Sequence, residues 1–161
     1  MVFVMLGTQK EQFKRIIDYV INSKMLENTQ VLIQNGHTKY EEIPKNSNIK
    51  LLGFVDPVEF KKYIQKADYI ITHGGVGSIF SSILNDKKVL AIPRLKKFDE
   101  HVDDHQLEIC DKMQKLGYIL EYNEQKEGKG LFDTKLELLK NTNFKKYVSD
   151  KSYLDILKSQ I

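Results

Sequence analysis

Residues 68–82 read Asp-Tyr-Ile-Ile-Thr-His-Gly-Gly-Val-Gly-Ser-Ile-Phe-Ser-Ser, and this stretch restricts what the chain can fold into more than any other. Tyr69, Ile70 and Ile71 form a short apolar run with β-branched side chains, the pattern of a buried strand. Gly74, Gly75 and Gly77 follow, and Ser78 opens a segment whose apolar residues Ile79, Phe80, Ile83 and Leu84 recur at helical spacing, predicting a helix over about 78–85. A strand, a glycine turn and a helix in succession aim bare backbone N–H groups and the positive end of a helix dipole at one point. Without Cβ atoms the glycines let an anionic group approach the main chain closely. Such a turn favours a phosphate, against the plainer alternative of a tight turn with no ligand.

The same alternation extends along the chain. Val2 to Leu6 reads as a strand running into Gly7-Thr8, and Phe13, Ile16, Ile17, Val20 and Ile21 predict an amphipathic helix over about 10–24. Val31 to Gln34 and Ile49 to Leu52 read as two further strands, the first closed by Asn35-Gly36. Asp56-Pro57 combines a capping oxygen with proline at the first helical position, a helix start leading to Tyr63 and Ile64. Strand 68–72, strand Val89 to Ile92 stopped by Pro93, a helix over about 103–116 closed by Gly117, and strand Tyr118 to Tyr122 complete the series. Residues 123–130 read as a polar loop. Two C-terminal helices are expected, one on Leu131, Leu136 and Leu139, the other on Tyr153, Leu154, Ile156 and Leu157. Repeated β-α units predict an α/β fold: a Rossmann-like parallel sheet with helices on both faces. Ligands of such sheets sit at the carboxyl ends of the strands, so Gly7-Thr8, Gly53 to Asp56, His73 to Gly77 and the segment from Arg94 are expected to share a rim.

Length and charge narrow the function classes. The 161 residues fit one domain, with a core over 1–122 and C-terminal helices over 131–161. A net charge of +3 spread over scattered lysines lacks the concentrated basic face of a nucleic-acid binder. The lone Cys110 makes no internal disulfide, suits a reducing cytosol, and reads as a small buried apolar residue. No apolar run approaches the roughly 18 residues of a membrane span, and the N-terminus is too short and uncharged for a signal peptide.

Three polar constellations remain. His73, at the strand end, either hydrogen-bonds structurally or donates to a phosphate or substrate carbonyl. His101 and His105, four apart on a predicted helix, share a face as metal ligands can, yet no Glu follows His101 as in the zinc-protease pattern. Asp99, Glu100, Asp103 and Asp104 lack the glycine-spaced loop of a calcium site, so no metal is expected. Asp103, Asp104 and Gln106 instead suit a helix start and sugar or ribose diols. Arg94 with Lys96-Lys97 either steers a diphosphate or is a solvated basic loop. A dinucleotide enzyme is disfavoured: Phe80 stands where the fingerprint needs a third glycine, and the turn Gly7-Thr8-Gln9-Lys10 lacks the spacing.

The run from Gly53-Phe-Val-Asp-Pro through Ala67-Asp68-Tyr-Ile-Ile-Thr-His-Gly-Gly-Val-Gly-Ser-Ile, extended by Pro93-Arg94 and Glu100-His-Val-Asp-Asp-His-Gln106, resembles the C-terminal, nucleotide-sugar-binding domain of family 28 glycosyltransferases. It resembles in particular the small stand-alone versions of that domain, the PssE-like and EpsF-like subunits of bacterial exopolysaccharide and capsule synthesis, akin to the small subunit of the dolichol-linked N-acetylglucosamine transferase. The resemblance implies one half of a GT-B enzyme. It places Phe54 and Val55 against uracil, and Gly74, Gly75, Val76, Gly77 and Ser78 at the diphosphate. It also places Asp104, His105 and Gln106 at the donor sugar, with Gly7 and Thr8 in a loop closing over the phosphates. Ser81 stands where the family commonly has an acidic residue on the ribose, which transfers that role to Asp103 or Asp104.

The expected function is therefore that of the UDP-sugar-binding subunit of a two-component inverting transferase. It would move galactose or N-acetylglucosamine to a lipid-linked acceptor, with His73 as an assisting catalytic residue and no cofactor. A membrane-anchored, acceptor-binding partner, docked through the C-terminal helix, would hold the chain at the cytoplasmic face of the membrane. The alternative is a non-catalytic stabiliser of a partner transferase that leaves the donor untouched.

Overall fold

The computed structural model describes residues 1–45 and 47–148. The described residues form six strands, with a helix between successive strands except β2 and β3: β1 (Val2–Met5), α1 (Lys14–Ile21), β2 (Val31–Gln34), β3 (Ile49–Leu51), α2 (Pro57–Lys66), β4 (Tyr69–His73), α3 (Val76–Ile83), β5 (Lys88–Ile92), α4 (His105–Lys115), β6 (Leu120–Glu121), α5 (Glu124–Glu127) and α6 (Phe132–Asn141). The strands form one parallel sheet in the order β3-β2-β1-β4-β5-β6. The chain runs outward from β1 on one side, then returns to place β4 on its other side. The crevice between the carboxyl ends of β1 and β4 is thus the topological switch point, where an open α/β sheet takes its ligand.

Side chains alternate across each strand, and both faces are covered. Val2 and Val4 pack with Phe13, Ile16, Ile17 and Val20 of the α1 side and with Leu136 and Leu139 of α6. Phe3 and Met5 point the other way, into Ile64 of α2, Ile79, Phe80 and Ile83 of α3, and Cys110 and Met113 of α4. Cys110 is fully buried, and burial pushes its thiol pKa well up, as expected of a small core residue rather than a nucleophile.

The differences from the sequence reading have local causes. Helix α1 starts at Lys14 rather than near residue 10, because the preceding turn bonds sideways to the segment after β2. Gln12 Oε1 accepts from the Lys39 amide at 2.8 Å, and Thr38 Oγ1 accepts from the Phe13 amide at 3.1 Å. Helix α3 begins at Val76, so the last residues of the glycine turn are already helical. The loop expected at 123–130 contains α5, capped by Asn123, whose Oδ1 accepts from the Gln125 amide at 3.0 Å. Strand β6 is only two residues long. The helix expected on Tyr153, Leu154, Ile156 and Leu157 lies outside the described residues. No helix among the described residues is long and apolar enough to cross a membrane.

Asp56 starts α2 as its sequence position predicts. Its Oδ1 accepts from the amides of Val58 and Glu59, both at 3.0 Å, ahead of Pro57 at the first helical position. Asp56→Ala should cost about 1 kcal/mol in urea denaturation with the fold retained, and Asp56→Asn should recover most of it. An unchanged Asp56→Ala midpoint would show that the cap does not hold the helix.

Candidate functional site

The carboxyl ends of β1, β4 and β5 are joined by buried side chains that bond to main chain. Arg94, just past β5, is 1% exposed and faces Phe13 with its guanidinium carbon 4.8 Å from the ring centre. Its Nη1 donates to the carbonyls of Glu11 (2.8 Å) and Glu100 (2.9 Å), and its Nη2 to that of Leu6 (2.7 Å). Arg94 is therefore neither a diphosphate-steering group nor part of a solvated loop. It ties the β1 loop to the β5 loop, and burial pulls its pKa down to about 10, so it stays charged at neutral pH. Glu100 is engaged likewise, accepting from Arg15 Nε (2.9 Å), Arg15 Nη2 (2.7 Å) and the Leu95 amide (2.9 Å). On the far side, Gln34 bonds both polar groups of Gly7: its Oε1 accepts from the amide at 3.2 Å and its Nε2 donates to the carbonyl at 3.0 Å.

Between these ties lies a cavity of about 490 Å³. Of the residues expected at a nucleotide sugar, it brings together Gly7, Thr8, Phe54, Val55, His73, Gly75, Val76, Gly77, Ser78, His105 and Gln106. Sequence reasoning missed Gln9, Gln34, Phe60 and Ile109, and had weighed His101 only as a metal ligand; all five line the cavity. Gln9 was open to discovery, since it adjoins Gly7-Thr8, already assigned to the rim; Gln34 closes a strand whose carboxyl end was left out of that rim. Phe60 and Ile109 carry no signal beyond helical periodicity. Among the described residues that line it, none is Asp, Glu, Lys or Arg.

Three expected residues are not there: Gly74, whose amide is bonded to Gln106 within the protein, Asp103 and Asp104. Asp103 and Asp104 were expected to hold the ribose, but neither lines the cavity. Asp103 Oδ1 accepts from the His105 amide at 3.0 Å, which holds its carboxyl below the usual range, and Asp104 Oδ1 accepts from the Lys96 amide at 2.9 Å. Both carboxylates serve the chain entering α4. Ser81 does line the cavity, and its hydroxyl donates to the Gly77 carbonyl at 2.7 Å, leaving its lone pairs for a diol. His101 and His105 are not joined by a third ligand: among the described residues no group of three His, Cys, Asp or Glu could hold a metal ion.

The glycine turn is more restricted than its sequence implies. The Gly74 amide donates to Gln106 Oε1 at 2.9 Å, and the Gly75 amide to His73 Nδ1 at 3.1 Å. Intrahelical bonding in α3 starts with the Ile79 amide on the Gly75 carbonyl at 3.1 Å. The amides of Val76, Gly77 and Ser78 occupy the first turn, where a helix has no internal partner for them, and no side chain caps it. These three, with the dipole behind them, give the cavity wall a stretch whose chemistry suits an anion. Amides 74 and 75 instead hold the turn in place.

His73 sits against Gly7 and Gly75, and both must lack a side chain. A Cβ at Gly7 would lie 2.7 Å from His73 Nε2, and one at Gly75 would overlap the ring. The imidazole is 8% exposed. Burial first, and the Arg94 cation second, lower its pKa to about 4, so it is neutral at physiological pH.

Residues 1–160 match the model of the glycosyltransferase family 28 C-terminal domain. The UDP-N-acetylglucosamine transferase subunit ALG13 of Candida albicans is 38% identical over 79 residues, which are 49% of this chain and 26% of that protein. The chain spans between about a quarter and about half of the length of the curated relatives it matches. The solution NMR structure of ALG13 superposes with a TM-score of 0.63 at 20% identity, over 97% of this chain and 93% of that one. The crystal structure of Acinetobacter baumannii MurG superposes with a TM-score of 0.54 at 17% identity, over 84% of this chain and 40% of that one. The fold is that of the C-terminal half of a GT-B glycosyltransferase.

The neutral imidazole has a measurable consequence. The unfolded chain takes up a proton at His73 near the ordinary value of 6.5, whereas the folded chain does so only near 4. Stability should therefore fall as pH drops through that interval, by about 3 kcal/mol from this group. Denaturation midpoints of the unsubstituted chain and His73→Gln, compared across the interval, should show the variant lacking this component; parallel curves would place a charged or exposed imidazole in the folded state.

Proposed function

The chain belongs to the glycosyltransferase family 28 C-terminal domain, and on that premise we propose that it is the donor-binding subunit of a two-component UDP-sugar transferase. The observation that carries this reading is the wall of three unpartnered amides, Val76, Gly77 and Ser78, facing a 490 Å³ cavity at the switch point of the sheet. In this reading the diphosphate takes those amides and the Ser78 hydroxyl. Uracil lies toward Phe54 and Val55, and the hexose toward His105 and Gln9. The similarity to ALG13, whose name specifies a UDP-N-acetylglucosamine transferase subunit, favours N-acetylglucosamine over galactose.

Transfer with inversion moves a hydroxyl oxygen of the acceptor onto C1 of the hexose while the C1–O bond to the β-phosphate breaks and UDP departs. The amides and dipole stabilise the charge that develops on the leaving phosphate. The attacking hydroxyl must give up its proton, and among the described residues no carboxylate lines this cavity. His73 is not suited to take it, since Nδ1 already accepts from the Gly75 amide. The general base and the acceptor site thus fall to a second, membrane-anchored subunit that closes the cleft and excludes water. A lipid-linked acceptor of exopolysaccharide or capsule synthesis, met at the cytoplasmic face of the membrane, fits this division of labour.

Calorimetric titration with UDP tests the reading. Saturable binding is expected. A Cβ at Gly77 meets nothing within 4 Å, so Gly77→Val should fold normally while its side chain obstructs the seat and weakens UDP by ~10-fold or more. Absence of binding heat in the unsubstituted chain would discard the donor site and favour a stabiliser of the partner.

A further inference from the structure

Gln106 is 3% exposed and both ends of its carboxamide are engaged. Its Oε1 accepts from two main-chain amides, Gly74 at 2.9 Å and Arg94 at 3.0 Å. That fixes the orientation of the amide, because the reverse would set an NH2 group against two N–H donors. Its Nε2 therefore faces His73 Nδ1, 3.2 Å away, as a donor. His73 Nδ1 also accepts from the Gly75 amide at 3.1 Å. A nitrogen approached by two N–H donors carries no proton, so the neutral ring carries its proton on Nε2, which lies 3.0 Å from Ser78 Oγ. Ser78 Oγ accepts that bond and directs its own proton away from the ring.

We propose that Gln106 and His73 are positioning residues: the carboxamide sets the imidazole tautomer, and the imidazole turns the Ser78 hydroxyl into a donor aimed at the anion seat. This rests on reading the cavity as a diphosphate site. It gives Gln106 a role different from the sugar contact implied by resemblance, since its acceptor oxygen has no capacity left for a hydroxyl. It also explains a neutral ring beside an anion site. An imidazolium would need an acceptor at Nδ1, where only donors are found. The charged and titratable groups facing the ring are Arg94, which opposes a second positive charge, and His101.

Nitrogen-detected NMR of the imidazole in the full chain, without ligand, tests the first half directly. The unsubstituted chain should show the Nε2–H tautomer and no titration between about pH 8 and pH 5. Gln106→Glu keeps an oxygen for the Gly74 and Arg94 amides but sets its other oxygen against Nδ1, and should move the ring proton there and raise its titration by at least ~1 pH unit. An Nδ1–H tautomer in the unsubstituted chain, a measurement that needs no variant, overturns the proposal, and so does an unchanged ring in Gln106→Glu. The second half is a double-mutant cycle on UDP affinity. Ser78→Ala should weaken UDP by ~10-fold, and adding Gln106→Glu to it should weaken UDP little further. Additive losses overturn the relay while leaving the donor site standing. Absence of UDP binding by the unsubstituted chain overturns both.

Discussion

One buried carboxamide organises the ligand-facing rim. Gln106 reaches from the first turn of α4 to the Gly74 amide beyond β4, the Arg94 amide beyond β5 and the His73 ring. Without it the Gly74 and Arg94 amides would be unsatisfied donors in the interior, at a cost of about 1–3 kcal/mol each. A parallel sheet leaves its strand ends to loops, which are ordinarily its most mobile parts. Here they are drawn together from within: Gln106 joins β4, β5 and α4, Arg94 joins the β1 and β5 loops, and Gln34 holds Gly7 from β2. The seat at 76–78 has its geometry because the turn before it is pinned on both amides.

The chemistry follows from what the pinning leaves over. Three amides and one hydroxyl remain at the proposed anion site, and among the described residues no Asp, Glu, Lys or Arg lines the cavity. Dipoles that are already oriented stabilise a departing phosphate without reorganising, which is their advantage over mobile charges. In the proposed reading a cavity built this way binds and activates a donor, yet its described lining offers no carboxylate to deprotonate an acceptor. Its incompleteness is a property of one half of a cleft, in keeping with a catalytic unit assembled from two chains.

The fold was legible wherever periodicity and turn chemistry agreed. The apolar runs at 2–6, 31–34 and 69–71, the Asp56-Pro57 cap and the glycine turn each announced an element where the structure has one. Legibility failed where long-range bonds override local preference. Nothing near Gln12 shows that its carboxamide will engage Lys39, so α1 seemed longer than it is. Asp103 and Asp104 read as ligands because acidic residues at a rim are chemically suited to diols; only their geometry shows both carboxylates taken by backbone amides. Arg94 posed the same problem in reverse, since a cation beside two lysines looks solvated until three carbonyls are found around it. The glycine turn suggested the anion site proposed above, but which of its amides are free depends on Gln106 and His73, residues that meet it only in three dimensions.

The most direct test of the account is to follow the backbone amide resonances of residues 74–78 during a UDP titration. The amides of Val76, Gly77 and Ser78 should move together and saturate, while those of Gly74 and Gly75, already bonded within the protein, should move far less. Equal shifts across all five, or shifts confined to another face of the sheet, would contradict a pyrophosphate seat at the start of α3.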